Sequence, residues 1–170
     1  MIDRAVRIGM IGCGTQANVH FEAIKELTGQ IASVVAVCDL DDERLAAACQ
    51  IWPQARSAKD YHEMLSPGDL DLVIVATMPN THEAMSLASL EAGANVLCEK
   101  PFMMNATEAQ NVLAKAETAG LRVQLGTNMR YMPSSQYLHS LIEGGSIGTP
   151  VYAKAWGCHD YPPVWGPHYH

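Results

Sequence analysis

The sequence predicts an α/β fold in which helices cover both faces of a doubly wound parallel sheet. Short apolar runs alternate with segments of helical periodicity along most of the chain. The run at residues 31–38 is almost continuously apolar, which is typical of a parallel strand buried on both faces. Glycine and proline separate the successive segments. Because strand and helix alternate, right-handed crossovers are expected to connect parallel strands.

The predicted elements follow this alternation in order. Strands are expected at residues 5–11, 31–38, 70–76, 95–98 and 121–126. Helices are expected to begin after Gly14 and at Asp41, Asp60, Asn80, Asn105 and Pro133. Gly29, Gly93, Gly120 and Gly144 are placed to end four of them.

Local patterns predict how the helices begin and what they bury. Asn80 and Asn105 each precede a glutamate by three positions, as in a capping box. Leu40 and Leu45 are spaced as a hydrophobic staple around the expected cap at Asp41. Helical spacing predicts one apolar face on the first helix and one on the helix after Asn105, and the last helix contains Leu138, Leu141 and Ile142. The two faces consist of Ala17, Phe21, Ile24 and Leu27, and of Val112, Leu113 and Ala116.

Composition and charge restrict the class of protein. The chain has 170 residues, 48% of them hydrophobic and 17% charged, which is typical of a globular domain with a substantial core. Lys and Arg total 11 against 18 Asp and Glu, which gives a net charge of −7 without a basic cluster. Such a chain is a poor candidate for binding nucleic acid or an anionic membrane.

Apolar runs and cysteines bear on the expected location. No apolar run approaches the roughly 20 residues that span a bilayer, and we expect no signal peptide at the N-terminus. The five cysteines match no disulfide or zinc framework, so each is expected to be a small buried residue. A reducing cytoplasm is therefore the expected location, and no metal site is expected.

The first strand leads into the small-residue turn Gly12-x-Gly14-x-x-Ala17. Gly12 would form a tight turn, Gly14 would let the backbone approach a diphosphate, and Ala17 would let the helix pack closely. The first N–H groups of that helix would face the phosphates. Gly12, Gly14, Thr15, Gln16 and Ala17 are thus the predicted seat of a dinucleotide, although this pattern alone is weak.

Asp39 ends the second strand, 22 positions after Ala17. A carboxylate there can accept both ribose hydroxyls of an adenosine and repels a 2′-phosphate. Because no Arg or Lys follows immediately, we expect NAD and consider NADP the weaker alternative. The competing interpretation is that Asp39 is only a turn residue before a helix.

Two further strand ends carry polar residues at the same edge of the predicted sheet. Thr77, Pro79 and Asn80 follow one strand and could line the dinucleotide. The alternative makes Asn80 only a helix cap and His82 only a surface residue of the first turn.

Glu99, Lys100 and Pro101 follow the next strand. Lys100 would direct a cation at the reacting end of the cofactor, where burial would tune it for proton transfer. We expect Pro101 to be cis. The alternative is a solvated Glu-Lys pair.

These stretches resemble the Gfo/Idh/MocA family of oxidoreductases, which includes glucose–fructose oxidoreductase and inositol dehydrogenase. The matching residues are the glycine turn, His20, Asp39, the segments at 76–82 and 91–101, and the segment at 128–133. Glu99-Lys100-Pro101 is the most specific of them. The resemblance covers about residues 5–156.

The resemblance implies a Rossmann domain that binds NAD(P), with sugars, cyclitols or related polyols as substrates. It implies that Lys100 is the catalytic residue beside the substrate oxygen. The matching cofactor-lining positions are Gly12, Gly14, Asp39, Thr77, Asn80, His82 and Glu99. Asn128 and Arg130 match positions near the nicotinamide or the substrate.

The resemblance also sets the expected domain organisation. Residues 1–127 would form the dinucleotide-binding domain, residues 128–148 a linking segment and helix, and residues 149–170 the start of a second α/β domain. Only the first strand of that domain, at residues 151–156, would be present. His159 could replace a proton-transfer residue of the missing part, but histidines in a proline-rich tail indicate neither a substrate site nor a metal site strongly.

Three functions remain open from the sequence. The first is an NAD-dependent oxidoreductase acting by hydride transfer on a sugar, cyclitol or polyol, and forming a homo-oligomer in its full-length form. The second is a non-redox glycosidase of the same family that uses tightly held NAD. The third is an NAD-binding module without catalysis.

Overall fold

The computed structural model describes residues 4–27 and 31–156, and within them six strands form one parallel sheet. The strands are β1 (Val6–Ile11), β2 (Ala32–Cys38), β3 (Arg56–Ala58), β4 (Leu72–Val75), β5 (Asn95–Cys98) and β6 (Val123–Leu125). Their order across the sheet is β3-β2-β1-β4-β5-β6, and every pairing is parallel. The predicted doubly wound sheet is therefore confirmed, with its change of direction between β1 and β4.

In the described residues, six α-helices accompany these strands. They are α1 (Thr15–Leu27), α2 (Asp42–Ile51), α3 (Tyr61–Leu65), α4 (His82–Glu91), α5 (Ala106–Ala119) and α6 (Pro133–Glu143). The predicted caps Asp41, Asp60 and Asn105 each accept a backbone N–H of the first helical turn. The expected end of α1 at Gly29 lies outside the described residues.

The core consists of two buried clusters that share the strands between them. One cluster joins α1 and α2 to the sheet, with Phe21 and Met10 fully buried. The other joins α3, α4 and α5 to the sheet, with Val73 and Val112 fully buried. In β4 and β5 successive residues enter alternate clusters, as the pleat requires. Both faces of the sheet are thus covered, which explains the continuous apolar run at 31–38.

Several local predictions are wrong. Asn80 does not cap α4, because Pro79–Thr81 forms a 3₁₀ turn and α4 begins only at His82. The Leu40 staple is wrong: Leu40 is 84% exposed in the turn after β2. Among the residues expected on buried helix faces, Leu27 and Leu113 are exposed. Leu27 is the last residue of α1, and Leu113 directly follows the buried Val112 on α5.

The chain divides into two compact units, residues 1–127 and residues 128–170. The described part of the second unit contains a 3₁₀ turn at Asn128–Tyr131 and the helix α6, on which Leu138 and Ile142 are exposed. Residues 151–156 form no strand, contrary to prediction. A strand needs a neighbouring strand to hydrogen-bond its backbone N–H and C=O groups. The described residues of this unit include no such partner strand.

Within residues 4–27 and 31–156, no helix is long and apolar enough to cross a bilayer.

Candidate functional site

A cavity of about 690 Å³ opens where β1, β2 and β4 end at the carboxyl edge of the sheet. Ligands of open α/β sheets bind at this edge, at the point where the strand order reverses. Its volume lies in the range of small-molecule sites, about 300–1,000 Å³. The lining residues are Ile11, Gly12, Gly14, Cys38, Asp39, Leu40, Asp41, Arg44, Lys59, Asp60, Tyr61, Ala76, Thr77, Met78, Thr81 and Met85.

The two glycines of the first turn serve different purposes. Gly12 has a φ of +88°, and a Cβ on it would lie 2.5 Å from the Ala76 carbonyl oxygen. Glycine is therefore required there by the fold itself. A Cβ on Gly14 would meet only the Arg44 Nη1 atom, at 3.6 Å. The space above Gly14 is thus an open part of the cavity wall, which a ligand can approach closely.

The helix α1 begins directly after this turn. Ala17 is fully buried, so the helix packs closely on the sheet as predicted. The backbone N–H groups of the first turn, at Thr15 and Gln16, have no partner within an α-helix and form an anion-binding end. A diphosphate fits this arrangement, because the open backbone at Gly14 adjoins the positive end of the helix dipole.

Asp39 lines the cavity at the end of β2. Its Oδ2 atom accepts the Cys13 N–H at 2.7 Å, and its Oδ1 atom accepts the Asp41 N–H at 2.9 Å. These bonds fix the carboxylate beside the glycine turn and also support the interpretation of Asp39 as a turn residue. Because a carboxylate has about four acceptor positions, further ones stay available to ligand hydroxyls.

Two cations also line the cavity, although no Arg or Lys directly follows Asp39 in the sequence. Arg44 lies in the first turn of α2, with its Nε atom 3.8 Å from the Asp41 carboxylate. Lys59 follows β3 and contacts the Asp42 carboxylate and the Leu40 carbonyl, both at 2.7 Å. Sequence reasoning missed Lys59 because it did not predict β3.

Thr77 lines the cavity at the end of β4. Its Oγ1 atom is 2.7 Å from the Thr81 Oγ1 atom, and the Thr81 hydroxyl donates to the Met78 carbonyl. Each hydroxyl has one proton, and that of Thr81 is used on the Met78 carbonyl. The Thr77 hydroxyl therefore donates within the wall, and its oxygen lone pairs are left to accept a hydrogen bond from a ligand. Pro79 and Asn80 lie in the adjoining 3₁₀ turn and are not among the lining residues.

His82 is not where either interpretation placed it. It is neither on the surface nor on the cavity wall, because its side chain is fully buried. The Nδ1 atom lies 2.9 Å from the Pro101 carbonyl oxygen, and the Nε2 atom lies 3.2 Å from that of Thr77. His82 therefore connects the loop after β4 with the loop after β5.

The turn after β5 contains Glu99 and Lys100. Glu99 is only 5% exposed, and its carboxylate accepts hydrogen bonds from the protein rather than lining the cavity. Lys100 is exposed, so the expectation of a buried lysine is wrong. The Lys100-Pro101 peptide bond is cis, as predicted.

The remaining predicted residues lie elsewhere. Asn128 and Arg130 are exposed in the 3₁₀ turn of the second unit. His159 lies outside the described residues. In the part of the chain that the structure describes, no group of three or more His, Cys, Asp or Glu side chains could hold a metal ion.

The cysteines at this edge are neutral structural thiols. Burial, and then the nearby Asp39 carboxylate, raises the pKa of Cys13 to about 12. Burial is also the main reason that the pKa of Cys38 and that of Cys98 rise to about 11. A thiolate is the reactive form of cysteine, so these residues act as small apolar groups of the wall and core.

His20 and Gly126 lie beside the Glu99 carboxylate and not on the cavity wall, and no role was predicted for either of them. His20 lies on α1 one turn after Gln16, and both side chains contact Glu99. A Cβ on Gly126 would lie 2.9 Å from the Glu99 Oε1 atom. The i, i+4 spacing of Gln16 and His20 is the signal that could have indicated a shared contact.

The fold and this edge define a dinucleotide-binding α/β domain, and comparison with known proteins gives its family. Residues 6–127 match the GFO_IDH_MocA model, described as an oxidoreductase family with an NAD-binding Rossmann fold. Because the match covers most of the chain, the protein belongs to this family.

Curated relatives are dehydrogenases of sugars and cyclitols. D-apiose dehydrogenase of Paraburkholderia graminis is 34% identical over 145 residues, which are 85% of this chain and 38% of that protein. Inositol 2-dehydrogenase 1 of Saccharopolyspora erythraea is 36% identical over 150 residues, 86% of this chain and 44% of that protein. The chain thus spans less than half the length of these relatives.

A solved structure agrees with the fold. The WlbA dehydrogenase from Chromobacterium violaceum, in complex with NADH and UDP-GlcNAcA, superposes with a TM-score of 0.81 at 29% identity. The match covers 87% of this chain and 42% of that one.

Proposed function

We propose that the unit of residues 1–127 binds NAD in the cavity at the carboxyl edge of its sheet. The open backbone at Gly14 supports this proposal most directly, because it gives a diphosphate access to the first turn of α1. Asp39 would accept the adenosine ribose hydroxyls, and Thr77 would offer a further acceptor within the cavity. The family's NAD-binding description and the NADH complex of the WlbA relative also support it.

The choice of NAD over NADP rests on Asp39. Its fixed carboxylate would repel a 2′-phosphate, although Arg44 and Lys59 on the same wall could attract one. Asp39→Ser should weaken NADH binding about ten- to hundredfold, because charge-assisted hydrogen bonds contribute roughly 1.5–3 kcal/mol. The same change should tighten NADPH binding through the two cations.

Isothermal titration of wild type and Asp39→Ser with NADH and with NADPH tests this assignment. Glu117→Gln is the control, since it removes an exposed carboxylate of α5 that does not line the cavity. Equal NADH affinity in wild type and Asp39→Ser would refute the role of Asp39.

We infer that the complete protein is a dehydrogenase of a sugar, cyclitol or related polyol. When bound, the nicotinamide ring supplies the hydride acceptor for oxidation of a carbinol carbon. Lys100 is exposed at the end of β5, where its side-chain nitrogen could hold the substrate oxygen, accepting the hydroxyl proton as a neutral amine and returning it as an ammonium group. The apiose and inositol dehydrogenases among the relatives support this substrate class.

Formation of NADH from NAD⁺ and a panel of polyols, with myo-inositol and D-apiose first, tests the reaction. Lys100→Met should lower kcat at least about a hundredfold, because general acid–base catalysis contributes roughly 10²–10⁴-fold. NADH affinity should change little, since the cavity wall does not include Lys100.

Other outcomes of the same assay identify the alternatives. Release of a glycone without NADH accumulation would indicate the non-redox glycosidase. Saturable NADH binding without turnover on any substrate would indicate a binding module.

We also propose a cytoplasmic location and, for the full-length protein, a homo-oligomer. The four cysteines of the described residues are free thiols, which supports a reducing compartment. Cell fractionation and light scattering of the full-length protein test these two proposals.

A further inference from the structure

Glu99 is the one buried carboxylate among residues 4–27 and 31–156, with 5% of its surface exposed. Burying a charged group costs several kcal/mol unless hydrogen bonds compensate for lost hydration. The Glu99 Oε1 atom lies 2.8 Å from His20 Nε2 and accepts Gln16 Nε2 at 3.1 Å. Its Oε2 atom accepts the backbone N–H of Lys100 at 3.1 Å. Both carboxylate oxygens therefore have protein donors.

These donors come from two separate parts of the fold. Gln16 and His20 lie one turn apart on α1, the helix that follows the glycine turn. Lys100 belongs to the turn after β5, and the Glu99 backbone N–H is fixed to β4 through the Val75 carbonyl at 2.9 Å. The Glu99 side chain thus joins the proposed cofactor helix to the turn that carries Lys100.

The shorter of the two Oε1 contacts is the one with His20. A carboxylate only accepts hydrogen bonds, so the contact assigns the imidazole proton to Nε2. Gly126 closes the other side, because a Cβ there would lie 2.9 Å from Oε1 and 3.1 Å from Cδ. The carboxylate is held between an imidazole donor and a backbone position at which a Cβ would crowd it.

We propose that His20 is a positioning residue that acts through Glu99 to hold the Lys100 turn against α1. The proposal rests on the proposed function, in which α1 receives the cofactor and Lys100 acts on the substrate. A lysine contributes to such a reaction only when its backbone is held in a fixed geometry relative to the cofactor. His20 touches neither partner in this proposal and works only through the carboxylate.

Hydrogen exchange of two neighbouring amides tests the proposal in the ¹⁵N-labelled chain. The Lys100 amide depends on Glu99 Oε2, whereas the Glu99 amide depends on the β4 carbonyl. His20→Leu should speed Lys100 exchange about tenfold, the equivalent of one net hydrogen bond, and leave Glu99 exchange within about twofold. His20→Gln should restore slow exchange at Lys100, because its side-chain amide can donate to Oε1.

Val19→Leu, at an exposed neighbouring position of α1, is the matched control and should change neither amide. If His20→Leu fails to fold, Gln16→Met removes the second donor and should speed exchange selectively at Lys100. Unchanged Lys100 exchange, equal acceleration of both amides, or failure of the glutamine to rescue would each overturn the proposal.

An NADH titration of the same samples separates this proposal from the proposed function. The affinity should stay within about threefold in His20→Leu, because the first-turn backbone and Asp39 are unaltered. If wild type fails to bind NADH, the proposed function is refuted, while the exchange rates still decide whether His20 positions the turn.

Discussion

Gly12 and Gly14 stand two positions apart, yet the structure requires them for different reasons. Gly12 has a positive φ, and a Cβ at this position would clash with the Ala76 backbone. Gly14 faces open space, so its missing side chain matters only when something enters the cavity. Gly12 is therefore needed for folding, and Gly14 for ligand binding.

Alanine at each position should separate these two roles. Gly12→Ala should lower the free energy of unfolding by about 2–4 kcal/mol, because it combines a strained φ with a clash. Gly14→Ala should change it by less than about 1 kcal/mol but weaken NADH binding at least about tenfold. Urea unfolding and NADH fluorescence titration measure the two effects. Similar NADH affinity in Gly14→Ala and wild type would contradict the proposal that the diphosphate binds against the Gly14 backbone.

Residue patterns predicted the polar edge better than they predicted side-chain roles. Asp39 and Thr77 line the cavity because the carboxyl ends of parallel strands must meet at one edge. The burial of His82 depends partly on the Pro101 carbonyl oxygen, which comes from the loop after β5 and is contained in no local pattern around His82. The same is true of Glu99, whose partners on α1 become neighbours only through the fold.

At the level of elements, local sequence patterns predicted the start of a helix correctly where a side chain accepts a hydrogen bond from the first turn of that helix. Asp41 and Asn105 are caps for that reason. The prediction that Asn80 caps α4 was wrong, because Pro79 starts a 3₁₀ turn ahead of that helix. The strand β3 has only three residues, Arg56–Ala58, and no apolar alternation, so its pairing with β2 is decided by tertiary structure.

The edge of the sheet where the strands begin is held by Asp71, which joins β1 to β4. It accepts the Arg7 backbone N–H at 2.8 Å and two contacts from Arg4 at 2.6 and 2.7 Å. The Arg4 hydrogen bonds, followed by those of Arg7, hold the pKa of the Asp71 carboxyl well below its usual range. A lowered folded-state pKa stabilises the fold above the unfolded value, and this stabilisation is lost as the pH falls.

Asp71→Asn should therefore destabilise the protein by about 1–2 kcal/mol at pH 7, since the asparagine keeps an acceptor but loses the charge. The difference from wild type should shrink as the pH falls below about 4, where the unfolded-state carboxyl is protonated. Urea unfolding across this pH range measures it, with the exposed Asp42→Asn as control. A difference that stays constant down to pH 2 would contradict the charge-based account.

At the scale of the molecule, the alternation of strands and helices determined the sheet and its switch point. The strand order places β1 beside both β2 and β4, and this arrangement creates the cavity at their ends. The strand expected at residues 151–156 did not form, because a strand depends on a partner and not on its own alternation. Substrate choice stays a proposal, since the chain spans less than half of each relative cited.

The central claim is that NAD binds at this carboxyl edge, and chemical-shift mapping with NAD⁺ tests it most directly. In a ¹H–¹⁵N spectrum of the labelled chain, the largest saturable shifts should occur at the amides of Gly12, Gly14, Asp39 and Thr77. The amides of Asp71 and Asn95, at the opposite edge of the sheet, should move little. Absence of saturable shifts at about 1 mM NAD⁺, or shifts concentrated at that opposite edge, would contradict the account.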